Sequence, residues 1–332
     1  MDWCEYKPFE RGDTLSTWKL VDPVYQERIL KQIRSWWNVS PESKYFPGPQ
    51  PVSIERKDLP LLFSKDYWVC AKSDGLRFLL VFVQINNKNL CLLVNRKNDM
   101  YLVKTRVWKS AFVGGTVLDG ELVCDKDTGK LEYLVYDATV VSGTSAVKLT
   151  HSQRMDMALR MVEFVREPSV CVRVKEFYPV SDMRSYVERV TPTMNHGVDG
   201  YVFTPEHHSV CSGTHFAMFK WKEQFENTVD FHVSKDLRQL RIAKGKMLME
   251  VVEARNMLVF PDKVLEREVR KLAPCIVECR ATKDKKWCAV LVRKDKTYPN
   301  NYLTYSKTLL NIQENIQLDE FLKVDEMRYK MF

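Results

Sequence analysis

The sequence has no run of eighteen apolar residues, so a membrane-spanning helix of ordinary length is not expected. Residues 1–10 mix acids, a base and a proline and lack the basic-then-apolar pattern of a secretory leader. None of the nine cysteines forms a pair at the two-residue spacing of a zinc ribbon. His207 and His208 have no third ligand nearby to complete a catalytic zinc site. Internal repeats and low-complexity tracts are also missing. Without a leader, nine cysteines predict reduced thiols, mostly buried, in an intracellular compartment.

The material for a large core is present. Hydrophobic residues make up 45% of the 332 residues and charged ones 28%, which argues against disorder. A chain of this length exceeds the usual single-domain size. The net charge of +8 permits an anionic partner such as nucleic acid or nucleotide phosphate, although many basic proteins bind neither.

Local patterns divide the chain. The first 45 residues read as helical and auxiliary: Ile29, Ile33 and Trp36 recur at helical spacing over 24–37, after Asp22-Pro23. The proline-rich stretch 47–51 cannot be helix or central strand. From Tyr67 onward short β-rich runs dominate: 67–71, 78–85, 90–95, 100–103, 116–123, 131–141, 200–204 and 217–222. Helices are predicted over 152–165 and 182–190. The plan is α+β with antiparallel sheets. The chain turns polar at 224–227. Beyond it the runs 229–233, 248–252, 276–280 and 288–292 suit a small OB-type β-barrel. A helix is predicted over 309–322.

The chemistry centres on Lys72-Ser73-Asp74-Gly75-Leu76-Arg77. Between two β runs, its lysine would stand at a strand end facing a cleft. A lysine is a nucleophile only as the free amine. Gly75 would let backbone and ligand approach closely, and Arg77 can bind ribose or phosphate oxygens. Four further motifs follow in order: Asp119-Gly120-Glu121, Asp199-Gly200, Lys220-Trp221-Lys222 and Arg293-Lys294-Asp295-Lys296. Alternation along a strand would put Lys220 and Lys222 on one face. Taken singly, Asp-Gly is a common hairpin turn and Lys-x-Lys a common solvated strand face. All five plain readings would have to hold at once.

This ordered set resembles that of the covalent nucleotidyltransferases, the mRNA capping guanylyltransferases and polynucleotide ligases; the last motif favours the capping enzymes. Pro47-Gly48-Pro49 and the stretches 51–58, 140–143 and 303–316 are similar to single-chain capping enzymes of large DNA viruses infecting Chlorella algae. The resemblance covers most of the chain from residue 47, but 1–45 and 234–274 match poorly. It implies a nucleotidyltransferase domain over 1–226, an OB-fold domain over 227–308 and a C-terminal helical segment, 309–332, packing back on the first domain, with a cleft between the domains. It implies that Lys72 attacks the α-phosphate of GTP, releases pyrophosphate, and passes GMP to a 5′-diphosphate RNA end.

Residue by residue, the resemblance gives Lys220 and Lys222 to the α-phosphate, and Arg293, Asp295 and Lys296 to the β- and γ-phosphates as the small domain closes. Glu121 and Arg96 would bind the ribose and Arg77 the sugar-phosphate region. Tyr136 and Val202 would sandwich the guanine, Lys175 would face its O6, and Asp230, near the domain junction, would bind the nucleotide. Asp199, with Glu121, would hold Mg²⁺ or Mn²⁺. Thr214 occupies a stretch where the algal-virus enzyme carries arginine, which puts an RNA or phosphate contact there in doubt. RNA triphosphatase and cap methyltransferase would be separate polypeptides, no membrane partner is expected, and a viral chain would act in host cytoplasm or nucleus. Two alternatives stay open: an ATP-dependent polynucleotide ligase, and a non-catalytic RNA-binding OB-fold protein.

Overall fold

Six consecutive apolar residues, Phe78 to Val83, are all buried. Such a run means that a strand is covered on both faces. In the computed structural model, which describes residues 4–8, 16–43, 46–166, 170–294 and 296–323, this strand is Leu76–Ile85. Phe78, Leu80 and Phe82 point into one core with Met155, Ala158 and Met161 of the helix His151–Val162. Leu79, Val81 and Val83 point into another with Ile29 and Ile33 of the helix Pro23–Trp36. The local signals at both helix starts operate. Asp22 accepts from the Val24 and Tyr25 amides, and Thr150 forms a capping box with Gln153.

The chain forms two units. The first holds the described residues up to Val52 and Leu61–Lys220; the second holds Ser53–Pro60 and Trp221–Lys323. The division therefore precedes the expected boundary at 226. In the first unit a nine-stranded sheet runs Cys4–Pro8, Ser16–Leu20, Met100–Leu102, Lys88–Asn95, Leu76–Ile85, Thr116–Cys124, Leu131–Val141, Thr144–Ser145, with Cys171–Val174 parallel to Leu131–Val141. A five-stranded sheet runs Tyr178–Pro179, Tyr67–Ser73, Val198–Pro205, Gly213–Trp221, Pro49–Ser53. The proline-rich stretch is thus an edge strand, where missing amide donors are tolerated.

The N-terminal region is not purely helical. Ser16–Leu20 pairs with Met100–Leu102 and extends the large sheet. The helix expected over 182–190 is replaced by short 3₁₀, α and π turns between Val180 and Thr193.

The second unit is a six-stranded OB-type barrel. Thr228–Val233 pairs with Leu240–Lys244 on one side and Cys275–Ala281 on the other, and Leu258–Val259 runs parallel to Trp287–Val292. Helix Lys263–Leu272, capped by Asp262, connects the two halves. The expected C-terminal helix is two helices, Tyr302–Glu314 and Leu318–Leu322, broken at Asn315, whose φ of 44° is left-handed. Tyr305 packs edge-on to Phe231 of the barrel, centroids 5.9 Å apart.

Eight described cysteines carry free thiols. Cys70, Cys91 and Cys279 are buried, whereas Cys124 and Cys171 are exposed, contrary to expectation. Among the described residues no helix is long and apolar enough to cross a membrane.

A buried polar knot fastens the helix His151–Val162 to the large sheet. Arg154 Nε and Nη2 donate to the Asp137 carboxylate at 2.6 and 3.0 Å. Nη1 donates to the carbonyls of Leu149 and His208. His151 Nδ1 lies 3.3 Å from Arg154 Nη2, and its Nε2 has no partner among the described residues. Burial pushes this imidazole down to about 4; Arg154 also lowers it, while Asp137 opposes. An unfolded histidine titrates near 6.5, so between those values the unfolded chain binds the extra proton. Stability should fall as pH drops from ~6.5 toward ~4, by about 2–3 kcal/mol. Urea unfolding at pH 7 and 4.5 checks this: His151→Phe should lose less on acidification than the parent, and equal losses would exclude His151 as the source.

Candidate active site

Lys72 is the penultimate residue of Tyr67–Ser73 rather than part of the following turn. Its neighbour strand, Val198–Pro205, is bulged opposite it. Ser73 pairs with Val198 and Ala71 with Tyr201, so Asp199 and Gly200 together oppose Lys72. Gly200 has φ 140°, a conformation open to glycine. The bulge turns Asp199 to the lysine, and Lys72 Nζ donates to Asp199 Oδ1 at 2.7 Å.

Gly75 serves packing between strands. A Cβ there would lie 2.4 Å from the Leu122 carbonyl oxygen and 2.8 Å from Glu121 Cγ. The glycine expected to admit a ligand instead admits the strand carrying Glu121.

Glu121 pairs in register with Arg77 on the large sheet. Burial raises the pKa of its carboxyl, against the pull of Lys175, Lys72, Arg77 and Arg96. Lys175 extends the parallel pairing by one bond, its amide donating to the Val135 carbonyl at 2.8 Å. Its Nζ donates to the Ala71 carbonyl at 3.0 Å and lies 5.7 Å from the Tyr136 ring centroid. Burial lowers its pKa, with Cys70 and Glu121 opposing and Lys72 reinforcing. Lys175 therefore does not behave as a solvent-facing lysine. Lys72, Glu121, Lys175 and Asp199 form one electrostatic group. Arg96 is exposed in the turn after Lys88–Asn95. Val202 is half-exposed between the buried Tyr201 and Phe203, on the opposite strand face from them.

Arg77 is more enclosed than its expected ligand role suggests. Its Nε and Nη2 donate to Asp119 at 3.0 and 2.5 Å, and Nη1 donates to the Pro49 carbonyl at 2.8 Å. Asp119 is wholly buried and also accepts from the Tyr136 hydroxyl at 2.9 Å. The fork-shaped pair fixes both Arg77 and the Tyr136 ring. Asp119 was legible only as part of Asp119-Gly120-Glu121; nothing in the sequence marked it as the anchor of Arg77.

The strand Gly213–Trp221 ends at the residue before Lys222; Lys220 and Lys222 are half-buried on either side of the buried Trp221. Lys220 closes the first unit and Lys222 belongs to the second. In the second unit, Asp230 and Glu278 are direct cross-strand partners, a repulsive arrangement unless cations join it. Arg293 Nη1 contacts Asp230 Oδ1 at 3.1 Å and Glu278 Oε2 at 3.2 Å, and Lys296 also pairs with Asp230. Asn300 accepts from the Asp230 amide at 2.8 Å. Asp230, expected to bind nucleotide, is an anchor for two of the cations of its unit. Glu278 and Asn300 were not foreseen. Asp295 lies outside the described residues.

Among the described residues no cluster of three or more His, Cys, Asp or Glu side chains could hold a metal alone. Asp199 and Glu121 supply two hard carboxylates beside the same lysines. This donor set fits an ion of the Mg²⁺ type, which keeps waters and substrate phosphates in its shell, and does not fit an all-protein cage.

Comparison with known proteins follows this division. Residues 13–224 match the family described as mRNA capping enzyme, catalytic domain, and residues 213–322 match mRNA capping enzyme, C-terminal domain. The chain is 29% identical over 337 residues to the mRNA-capping enzyme subunit alpha of Schizosaccharomyces pombe, covering 89% of this chain and 83% of the relative. It is 25% identical to the mRNA-capping enzyme of Danio rerio, covering 90% of this chain and spanning 51% of that protein. Among solved structures, mycobacterial DNA ligase D complexed with ATP and MES is similar at 14% identity and a TM-score of 0.42, over 75% of this chain and 95% of that one. Two consecutive matches spanning both units settle the family: the chain belongs to the mRNA capping enzymes.

Proposed function

We propose that this chain, an mRNA guanylyltransferase, works through a covalent lysyl-GMP intermediate formed at Lys72. The observation that carries the reading is the contact of Lys72 Nζ with Asp199, in the same charged group as Glu121 and Lys175. In the first step the lone pair of Nζ attacks the α-phosphorus of GTP. The bond from that phosphorus to the bridging oxygen breaks, pyrophosphate leaves, and Nζ loses its protons but one to solvent. In the second step a terminal phosphate oxygen of a 5′-diphosphate RNA attacks the same phosphorus. The P–N bond breaks, Nζ takes back two protons to become the ammonium again, and a GpppN end is formed.

Asp199 has two duties in this scheme, and they are exclusive. While it accepts from Lys72, the amine is tied up. Mg²⁺ or Mn²⁺, bound by Asp199 and Glu121 with the triphosphate, would withdraw negative charge from the α-phosphate. Lys220 and Lys222 neutralise the non-bridging oxygens, and Arg293 and Lys296, held by Asp230, act on the departing pyrophosphate. Tyr136 offers a ring held by Asp119 for stacking the base. Lys175 supplies specificity: a cation finds acceptors at guanine O6 and N7 but meets the amino donor of adenine.

Incubation with Mg²⁺ or Mn²⁺ and α-labelled nucleotide, followed by denaturation, tests the reading. Label from GTP should stay with the protein and label from ATP should not. Labelling by ATP alone would instead indicate a ligase, and no adduct with either would leave an RNA-binding module.

A further inference from the structure

Three functional side chains come from three strands in two sheets: Lys72 and Asp199 from the smaller sheet, Glu121 from the larger. One short loop touches all three elements. Residues 195–197 lead directly into the strand bearing Asp199. The Gly197 carbonyl accepts from the amide of Asp74, two residues past Lys72, at 2.7 Å. The Asn195 carbonyl accepts from the Lys126 amide at 2.7 Å, and the Asn195 side chain bonds to Asp125, so the loop also grips the turn that follows the Glu121 strand. Between these holds, His196 Nε2 lies 2.9 Å from Ser73 Oγ. Ser73 is 5% exposed, so its hydroxyl has little access to water as a substitute partner. Both residues border a cavity of about 230 Å³, also lined by Lys175.

The backbone ladder between the two strands is interrupted by the bulge opposite Lys72 and resumes at Ser73–Val198. The His196–Ser73 bond adds a side-chain attachment there, beside the Asp74–Gly197 backbone bond, and helps fix the orientation of the strand end that carries Lys72. We propose that His196 is a positioning residue for guanylyl transfer: through Ser73 it locks the Lys72 strand to the loop that feeds Asp199 and grips the Glu121 hairpin. The proposal rests on the covalent reading of Lys72. It assigns no contact between His196 and the nucleotide, so its loss should slow the chemical step and spare GTP binding.

The test is single-turnover labelling by GTP of the full chain, with rate constant and half-saturating GTP measured separately. His196→Ala and Ser73→Ala should each lower the rate constant by about tenfold, with half-saturation changed by less than about twofold. The double variant should be no slower than the worse single, because both remove the same bond. His196→Gln, which can still bond to Ser73, should recover to within about threefold of the parent. Thermal melting of each variant checks that it is folded. Rate constants within threefold of the parent for both alanine variants, additive losses, or losses appearing mainly in half-saturation would overturn the role. A parent chain that takes no label would instead remove the covalent reading and this role with it.

Discussion

Lys72→Ala should take up no label from α-labelled GTP after denaturation, a loss of the adduct to background. The size follows from the chemistry, since without the amine no bond can form. Lys72→Arg is the sharper variant. It keeps a cation to pair with Asp199, but the guanidinium stays protonated and does not act as a nucleophile. It should still bind GTP, measured by equilibrium binding, while remaining unlabelled. The adduct in the parent should show the acid lability of a phosphoramidate, and peptide mapping should place it on Lys72. Label retained by Lys72→Ala would put the nucleophile elsewhere and dismiss the role given to the Asp199 bulge.

Arg154→Met should be the most destabilising of the substitutions considered, at about 3–5 kcal/mol. The guanidinium and the Asp137 carboxylate are 2% and 4% exposed, so removing one partner leaves the other charge buried. The variant also releases the carbonyls of Leu149 and His208. For a unit of this size the melting temperature should drop on the order of 10 °C. A second change separates stranded charge from lost packing: Arg154→Met with Asp137→Asn should regain part of the loss, because no charge remains buried. An equal or larger loss in the double variant would mean that the ion pair is not the main source. Asp137 adjoins Tyr136 in the sequence, so a milder substitution at this knot should also weaken nucleotide binding.

The charged motifs were legible because they are short and local, and two of them supply the Lys72–Asp199 contact; Lys175, 5.7 Å from the Tyr136 ring, came to notice only through the resemblance. The β-rich runs gave the five contiguous strands in the middle of the nine-stranded sheet, from Met100–Leu102 to Leu131–Val141. What escaped was set by partners far along the chain. Ser16–Leu20 is a strand because Met100–Leu102, about eighty residues on, supplies its ladder. Arg77 reads as a ligand until Asp119 is seen forty-two positions away. Asp230 reads likewise until its cross-strand partner Glu278 is known, since two facing carboxylates require the cations that were assigned to phosphate. Leu240–Lys244 and the helix Lys263–Leu272 lie in the stretch that matched the resembling enzymes poorly. The break at Asn315 depended on a left-handed residue that helical spacing alone does not announce.

The lysine–aspartate contact also bears on how the protein survives between turnovers. Cells contain many small electrophiles, among them aldehydes, acyl thioesters and carbon dioxide, and an unoccupied amine in a cleft is open to all of them. As the ammonium partner of an ion pair with Asp199 at 2.7 Å, Lys72 has no lone pair to offer. The same contact that must open for catalysis therefore acts as a safety catch: Lys72 should resist general acylating reagents in the free protein and become vulnerable only when Asp199 lets go of it.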